Sequence, residues 1–218
     1  MSQPIQILVA SNNSHKHLEI AQILDLLGVS AQLCKPLDYG IEIDPIENAP
    51  TYEGNAQIKA HAFWNAFHSS LHAQRHATKL FVLADDSGLE VDALDGRPGL
   101  YSARYANAAP NGDGCGEILR ELQTVHMRNR QARFRAAIKV IAPDEKEYAS
   151  EGVIEGTIAH DARGTNGFGY DPIFIPVGDQ KHLAELTDFE KHRISHRGLA
   201  IAKLVPILRD QTSANCGA

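Results

Sequence analysis

Residues suited to nucleotide chemistry are concentrated in two stretches of the chain. GTNGFGYD, residues 164–171, places glycines beside Phe168 and Tyr170. Glycine allows a ligand to approach the backbone closely, and an aromatic side chain offers a stacking face to a planar ring. ADDSG, residues 84–88, places two adjacent carboxylates after an apolar run. A stacking loop together with a carboxylate suited to metal-bound phosphate indicates an enzyme that acts on nucleotides.

The two adjacent carboxylates belong to Asp85 and Asp86. In an extended strand they would point to opposite faces, so that one holds Mg²⁺ and phosphate while the other makes structural hydrogen bonds. The alternative is a polar turn that closes a strand. Glu53 and Asp92 are further acids that would join a metal site, and the sequence does not rank them.

Two polar segments are candidates for binding phosphate or a base. SNNSHK, residues 11–16, follows a predicted strand and starts a predicted helix, where N–H groups and a lysine favour anions. It lacks the Walker A pattern, and the alternative is a solvated turn. Lys191 and the triplet Ser195-His196-Arg197 lie near the start of the last predicted helix. They either grip phosphate or a base edge, or surround a serine cap with exposed cations.

Histidines and arginines form two further groups. His68, His72 and His76 recur every four residues, but no accompanying cysteine, carboxylate or HExxH pattern is present. With His61, they indicate a solvated helix face rather than a metal site. A basic cluster is interpreted as a strand edge or as local ion pairs: Arg128, Arg130, Arg133 and Arg135.

The elements that must position these residues mix strands with helices, which predicts an α/β or α+β fold. Strands are predicted at Ile5–Ala10, at Lys79–Ala84 ending at the two aspartates, and as a hairpin at Phe134–Ile141 and Tyr148–Ile158. One helix is predicted at Lys16–Leu27, closed by Gly28, and a second starts at Thr51 and continues past Lys59 toward His76. A third is predicted at 112–123. The last is predicted to start after Ser195, with Pro206 bending or shortening it. Residues 33–50 are expected to be irregular.

Composition narrows the class of protein. The chain has 218 residues, a net charge of -6 and 43% hydrophobic residues, as expected of a globular domain with a sizeable core. The negative charge argues against an extended nucleic-acid surface. No apolar run is long enough to span a membrane, and three widely spaced cysteines fit a reducing cytoplasm.

Five segments, in this order, resemble the inosine triphosphate pyrophosphatase family, and together they span nearly the whole chain. They are SNNSHK at 11–16, TYEGNAQIKA at 51–60, DDSGLEVDALDGRPGLYSARYA at 85–106, GFGYDPIF at 167–174 and AELTDFEKHRISHRG at 184–198. The resemblance implies hydrolysis of dITP, ITP and XTP or dXTP to a monophosphate and pyrophosphate with Mg²⁺. It also implies an elongated mixed twisted sheet with flanking helices, one two-lobed domain over 1–218 with the nucleotide cleft between the lobes, and a homodimer.

The resemblance also implies roles for individual residues. Asp86 would be the catalytic carboxylate that binds metal and activates water. Lys16, with Ser11 and Asn13, would contact phosphate. Phe168 would stack on the purine. The remaining substrate-binding residues would complete the base loop and recognise the 6-oxo group: Ser87, Gly169, Tyr170, Asp171, Lys191, Ser195, His196 and Arg197.

Two departures from the family pattern bear on these expectations. Many members carry Glu where this chain has Gly54, so Glu53, or water, is expected to supply the second metal contact. Residues 66–79 are longer than the usual connection and are expected to extend a helix. The alternatives are a non-catalytic nucleotide sensor, a related pyrophosphatase for modified pyrimidine or methylated nucleotides, and an arginine-rich RNA-binding module, which the composition disfavours.

Overall fold

The computed structural model describes residues 4–70 and 80–214, and their strands form one mixed sheet. The order is β2-β1-β3-β4-β5-β6, with β1 parallel to β2 and β3, and β5 antiparallel to β6. The strands are β1 Ile5–Val9, β2 Ala31–Cys34, β3 Leu80–Val91, β4 Gln131–Ile141, β5 Glu147–Ile158 and β6 Phe174–Pro176. The helices are α1 Ser14–Leu26, α2 Tyr52–His68, α3 Ser102–Ala108, α4 Gly114–Glu121, α5 Asp188–Ile194 and α6 His196–Ala214. The predicted α/β class is confirmed.

The chain divides into two compact units. The first comprises the segments Met1–Asp86, Ala137–Glu151 and Ala200–Ala218, and the second comprises Ser87–Ala136 and Gly152–Leu199. Strands β3, β4 and β5 each contribute residues to both units.

In the first unit, β1 is buried on both faces. Ile7 belongs to a cluster that includes Ile20 of α1 and Leu204 of α6, whereas its neighbour Leu8 belongs to a cluster with Phe63 of α2. A strand covered by helices on both faces needs a continuous apolar run, and the sequence ILVA supplies it. This packing fixes the carboxyl end of β1, from which the SNNSHK turn leads into α1.

The second unit has its own apolar core. Leu89 of β3, Phe134 of β4, Ile154 of β5 and Phe174 of β6 pack in one cluster with Ile118 of α4. Burial of such side chains contributes about 1.5–3 kcal/mol each relative to exposure. The core thereby supports the loop that follows β5, which carries Phe168.

The predicted helix boundaries are confirmed where the sequence contains a capping residue. Thr51 accepts a hydrogen bond from Gly54 N (3.0 Å) at the start of α2, and Ser195 accepts one from Gly198 N (3.0 Å) at the start of α6. Gly28 adopts a left-handed φ of 65° immediately after α1. The hairpin of β4 and β5 and the helix within 112–123 are also present.

Two expectations about the elements were wrong, and a third was wrong in part. Strand β3 does not end at the aspartates but continues to Val91, because Leu89 and Val91 are core residues of the second unit. Helix α2 ends at His68 with Ser69 as its cap, short of His76. Of the two effects expected of Pro206, shortening is wrong, because α6 continues through it to Ala214, and bending stays a prediction. The sequence interpretation also missed the short elements β2, β6, α3 and α5.

Candidate active site

The SNNSHK turn is an ordered N-terminal cap of α1. Asn13 Oδ1 accepts from His15 N (2.9 Å) and Lys16 N (3.4 Å), while Ser11 Oγ accepts from Asn13 N (3.1 Å). Lys16 Nζ lies 2.7 Å from Asp85 Oδ2. The segment therefore presents a helix start and a cation in one place, which is the arrangement that favours a phosphate group.

Asp86 lies inside β3 and is 6% exposed. Its Oδ1 accepts from Lys59 Nζ at 2.9 Å and its Oδ2 accepts from Asn55 Nδ2 at 3.3 Å. Burial raises the pKa of Asp86 above its ordinary value, and the neighbouring Glu47 carboxylate adds to the rise against the lowering effect of Lys59 and Lys16. A carboxylate with a raised pKa is the better proton acceptor.

Glu47 is the second carboxylate of this cluster, and the sequence interpretation missed it. Its Oε2 lies 3.0 Å from Lys59 Nζ, and its carboxyl group also interacts with that of Asp86. Burial alone would raise the pKa of Glu47, but the charge and hydrogen bond of Lys59 outweigh it and lower the pKa. The available signal was Lys59 itself, because a lysine on the buried face of a helix requires acidic partners.

Glu53 does not join this cluster. Its side chain is exposed on the first turn of α2. Within the described residues, no group of three or more His, Cys, Asp or Glu side chains is arranged to hold a metal ion. The oxygen donors that the structure brings together are those of Asp86 and Glu47, with the lysine between them.

The loop that carries Phe168 belongs to the second unit. Gly167 and Gly169 flank the phenylalanine with left-handed φ values of 74° and 63°. Phe168 N donates to Asp171 Oδ2 at 2.9 Å, and Cys115 Sγ donates to Gly169 O at 3.3 Å. A Cβ on Gly167 would lie 2.1 Å from Asp171 Oδ2, so only glycine fits there.

Asp171 and Lys191 form a buried ion pair below this loop. Their side chains are 4% and 3% exposed, and Lys191 Nζ lies 2.6 Å from Asp171 Oδ2. The same ammonium lies 5.3 Å from the centroid of the Phe168 ring, and the Arg197 guanidinium lies 5.6 Å from it. An aromatic ring with two cations close to it combines a stacking surface with hydrogen-bond donors for an electron-rich planar ligand.

The triplet at the start of α6 is buried, not an exposed basic patch. Ser195 is the helix cap, and His196 stacks on Phe134 with centroids 4.9 Å apart. Arg197 is 1% exposed and its Nη2 donates to Ser87 Oγ at 3.0 Å. Of the alternatives open from the sequence, the serine cap is confirmed, whereas the exposed cations are wrong because α6 packs this end against the core.

Tyr170 supports the loop from below. Its hydroxyl donates to the carbonyl of Ser102 at 2.8 Å. Its ring packs so close to Gly114 that a Cβ added to this glycine would lie 3.1 Å from the ring. Tyr170 is 4% exposed. It therefore anchors the loop to α3 and α4.

Other groups singled out in the sequence have structural partners. His61 lies 3.0 Å from Glu147, and His68 contacts the carbonyl of Trp64. His72 and His76 lie outside the described residues. Two of the arginines make the expected ion pairs. Arg133 pairs with Asp92 and Glu155, and Arg135 pairs with Glu90. Arg130 departs from that expectation, because it is buried and donates to the carbonyls of Leu122, Ile158 and Ala159.

A pocket of about 510 Å³ opens beside the SNNSHK turn. It is lined by Ser11, Asn12, Ser14 and His17 and by residues of the segments 35–37 and 41–44. The residues that line it include neither Lys16 nor Asp86, so this pocket and the acid–lysine cluster are different features of the first unit.

Buried lysines paired with carboxylates, together with a glycine-flanked aromatic loop on an α/β sheet, define a class of enzyme suited to nucleotide phosphate chemistry. Comparison with known proteins identifies the group within that class. The Ham1 family model matches residues 7–207, and the chain belongs to this family.

Relatives and solved structures agree with this assignment. The chain is 40% identical to the dITP/XTP pyrophosphatase of Bacillus subtilis strain 168 over 204 residues, which covers 93% of this chain and 96% of the relative. It is 38% identical to that of Corynebacterium efficiens, with 94% and 98% covered. Among solved structures, the Ham1 protein of Staphylococcus aureus superimposes with a TM-score of 0.75 and that of Coxiella burnetii with 0.76. Each of these two is 34% identical and covers 94% of this chain and 99% of the solved one.

Proposed function

We propose that this protein hydrolyses non-standard purine nucleoside triphosphates, namely dITP, ITP, XTP and dXTP, to the monophosphate and pyrophosphate. The reaction removes these nucleotides before they enter DNA or RNA. The observation that carries the proposal is the Asp86–Lys59–Glu47 cluster, because it combines a proton acceptor with charges suited to phosphate and metal. Membership of the Ham1 family, whose curated relatives are named dITP/XTP pyrophosphatases, supports the same reaction.

The carboxylates of this cluster fit a divalent cation. Asp86 and Glu47 present hard oxygen donors on either side of one ammonium, at 2.9 and 3.0 Å, and their carboxyl groups interact with each other. Carboxylate oxygens are the ligands that Mg²⁺ prefers. We propose Asp86 and Glu47, rather than Glu53, as its protein ligands. When bound, Mg²⁺ would neutralise charge on the phosphate oxygens and on the pyrophosphate leaving group.

Asp86 is the proposed general base. A water oxygen attacks the α-phosphorus, and a proton of that water passes to the Asp86 carboxylate. The bond between the α-phosphorus and the oxygen that bridges it to the β-phosphate breaks, which releases pyrophosphate. The raised pKa of Asp86 suits this task, since a strongly acidic carboxyl group would hold the proton poorly. Lys59, whose pKa is raised because Asp86 and Glu47 outweigh its burial, keeps a positive charge at the cluster.

The triphosphate chain is assigned to the start of α1. The start of the helix, with the Ser11 hydroxyl and the Lys16 ammonium, supplies positive potential there. Lys16 is paired with Asp85, which holds the ammonium in place before phosphate arrives.

The purine is assigned to the second unit. Phe168 stacks on the base, with Gly169, Tyr170 and Asp171 shaping its loop. The groups assigned to recognise the 6-oxo group are those of Lys191, Ser195, His196 and Arg197. The Arg197 guanidinium donates to Ser87 Oγ, which positions it. A donor aimed at an oxo group accepts hypoxanthine or xanthine but is left unpaired by the amino group of adenine, at a cost of about 1–3 kcal/mol.

The cellular setting remains a prediction. Among the helices of residues 4–70 and 80–214, none is both long and apolar enough to cross a membrane. We propose a cytoplasmic homodimer that binds neither nucleic acid nor membrane.

Product analysis tests the proposed function. Purified protein is incubated with dITP, XTP or dATP, each with and without Mg²⁺. We expect monophosphate and pyrophosphate from dITP and XTP only with the metal, and little product from dATP. Tight binding of dITP without turnover would replace the enzyme with a nucleotide sensor, and preference for a modified pyrimidine triphosphate would replace the substrate class.

A further inference from the structure

We propose that Asn55 is a positioning residue that fixes the distance between Asp86 and the segment bearing Glu47, and that Gly54 makes room for this arrangement. The inference rests on the proposed function, since it concerns the same pair of carboxylates. The family resemblance assigns no role to Asn55, and it marks Gly54 only as a position where many members carry a glutamate.

Asn55 bridges two parts of the first unit that are distant in sequence. It lies on the first turn of α2 and is 3% exposed. Its Oδ1 accepts from Ala49 N at 2.9 Å and its Nδ2 donates to Asp86 Oδ2 at 3.3 Å. The backbone N–H of Ala49 is a donor only, so the amide oxygen must face it and the amide nitrogen must face the carboxylate.

The second oxygen of Asp86 is held from the same helix. Lys59, four residues after Asn55 and therefore on the same face of α2, donates to Asp86 Oδ1 at 2.9 Å. The carboxylate is thus fixed in rotation by one donor on each oxygen. Lys59 also contacts Glu47, so the short segment from Glu47 to Ala49 is tied to α2 at both ends.

Gly54 allows that segment to approach the helix. A Cβ at this position would lie 2.6 Å from Ala49 Cβ and 3.1 Å from Thr51 Oγ1. Real Cβ atoms do not approach a neighbour as closely as 2.6 Å, so a side chain at position 54 would push the Ala49 segment away. Since Glu47 is two residues from Ala49, its carboxylate would move with it.

A direct metal-binding measurement tests this arrangement without turnover. The dissociation constant of Mn²⁺ is measured by electron paramagnetic resonance in the absence of nucleotide. We expect Asn55→Ala to raise it about tenfold, as is typical when an outer hydrogen-bond partner of a metal ligand is removed. Asn65→Ala, an exposed asparagine on the same helix, serves as the matched control and should leave the value unchanged.

A double-mutant cycle tests the part played by Gly54. Gly54→Ala should weaken Mn²⁺ binding in the wild-type background but add nothing in a Glu47→Gln background, because its effect passes through Glu47. Equal effects in both backgrounds would contradict the proposal. This variant keeps Asn55, so the cycle decides the question even where Asn55→Ala fails to fold.

Kinetics separates failure of this inference from failure of the proposed function. With saturating metal, Asn55→Ala should lower kcat for dITP while changing its KM less than about twofold, since the base and phosphate contacts are intact. A folded Asn55→Ala protein with wild-type Mn²⁺ affinity would overturn the positioning role alone. A wild-type protein that neither binds Mn²⁺ nor hydrolyses dITP would overturn the proposed function instead.

Discussion

The two units hold their functional side chains by different physical means. In the first, Asp86 is held by charged and amide side chains that project from a helix onto a strand, namely Lys59 and Asn55 of α2. In the second, Phe168 lies on a loop between two left-handed glycines and is held through its backbone amide by Asp171. The first arrangement suits chemistry, which needs fixed charges, and the second suits a ligand that must enter and leave.

The difference implies that substitutions in the two units should affect different steps. Loss of a group in the acid–lysine cluster should reduce turnover, whereas loss of a contact in the Phe168 loop should reduce affinity for the base.

The largest effect is expected from Asp86→Asn. Removal of the proton acceptor and of one metal ligand should lower kcat for dITP by about a thousandfold. The fold should persist, because the amide retains the shape of the side chain and Glu47 still pairs with Lys59. Steady-state kinetics with far-ultraviolet circular dichroism measures both. The control is Asp92→Asn, because Asp92 is an exposed acid that pairs with Arg133. Near-normal turnover in Asp86→Asn would contradict the catalytic role of Asp86.

The next effect concerns the buried pair beneath the loop. Lys191→Met should lower the free energy of unfolding by about 3–5 kcal/mol, because it leaves the Asp171 carboxylate buried without its counter-charge. Urea unfolding measures this, and the double variant Asp171→Asn, Lys191→Met should recover a substantial part of the loss. Arg120→Ala, which breaks an exposed pair with Glu117, should lower the free energy of unfolding far less, because solvent screens that pair. If Lys191→Met and Arg120→Ala lowered the free energy of unfolding equally, burial would not determine what the loss of an ion pair costs.

A smaller effect is expected from Phe168→Ala. Loss of base stacking, worth about 1–3 kcal/mol, should raise KM for dITP by about tenfold or more with little change in kcat. Inhibition by inorganic tripolyphosphate, which has no base, should be unchanged. A fall in kcat at constant KM would contradict the assignment of the purine to the second unit.

The smallest effect is expected from the thiol that contacts the loop. Burial raises the pKa of Cys115 to about 12, so the thiol stays protonated and donates to Gly169 O. Cys115→Ala should raise KM for dITP about threefold, and Cys115→Ser, which keeps a donor, should not. Identical KM values in the two variants would show that the hydrogen bond does not help to order the loop.

The sequence predicted those parts of the molecule that depend on local chemistry. Thr51 and Ser195 were recognised as helix caps because a hydroxyl before a helix satisfies backbone N–H groups within the same turn. The buried β1 was predicted from a short apolar run, and the hairpin of β4 and β5 from two strand-like segments joined by a turn. Asp86, Lys16 and the Phe168 loop were singled out as site candidates by the motifs that surround them, and their roles stay predictions.

The parts that were missed depend on contacts between distant segments. Glu47 lies in a stretch without regular structure, and only the folded position of Lys59 reveals it. The continuation of β3 beyond Asp86 was hidden because two acids followed by Ser-Gly resemble a turn, whereas packing of Leu89 and Val91 overrides that local signal. Arg130 was expected at a surface strand edge or in local ion pairs, and exposure was one of two alternatives for Arg197. The sequence does not show the buried carbonyls and hydroxyl to which these guanidinium groups donate.

The most direct test of the account is the position of the oxygen that water contributes. Hydrolysis of dITP with Mg²⁺ in water enriched in ¹⁸O is followed by mass spectrometry of both products. Attack at the α-phosphorus, with Asp86 as the base, places the label in dIMP and leaves pyrophosphate unlabelled. Label in pyrophosphate, or release of labelled orthophosphate, would show that water attacks a different phosphorus and would contradict the proposed reaction.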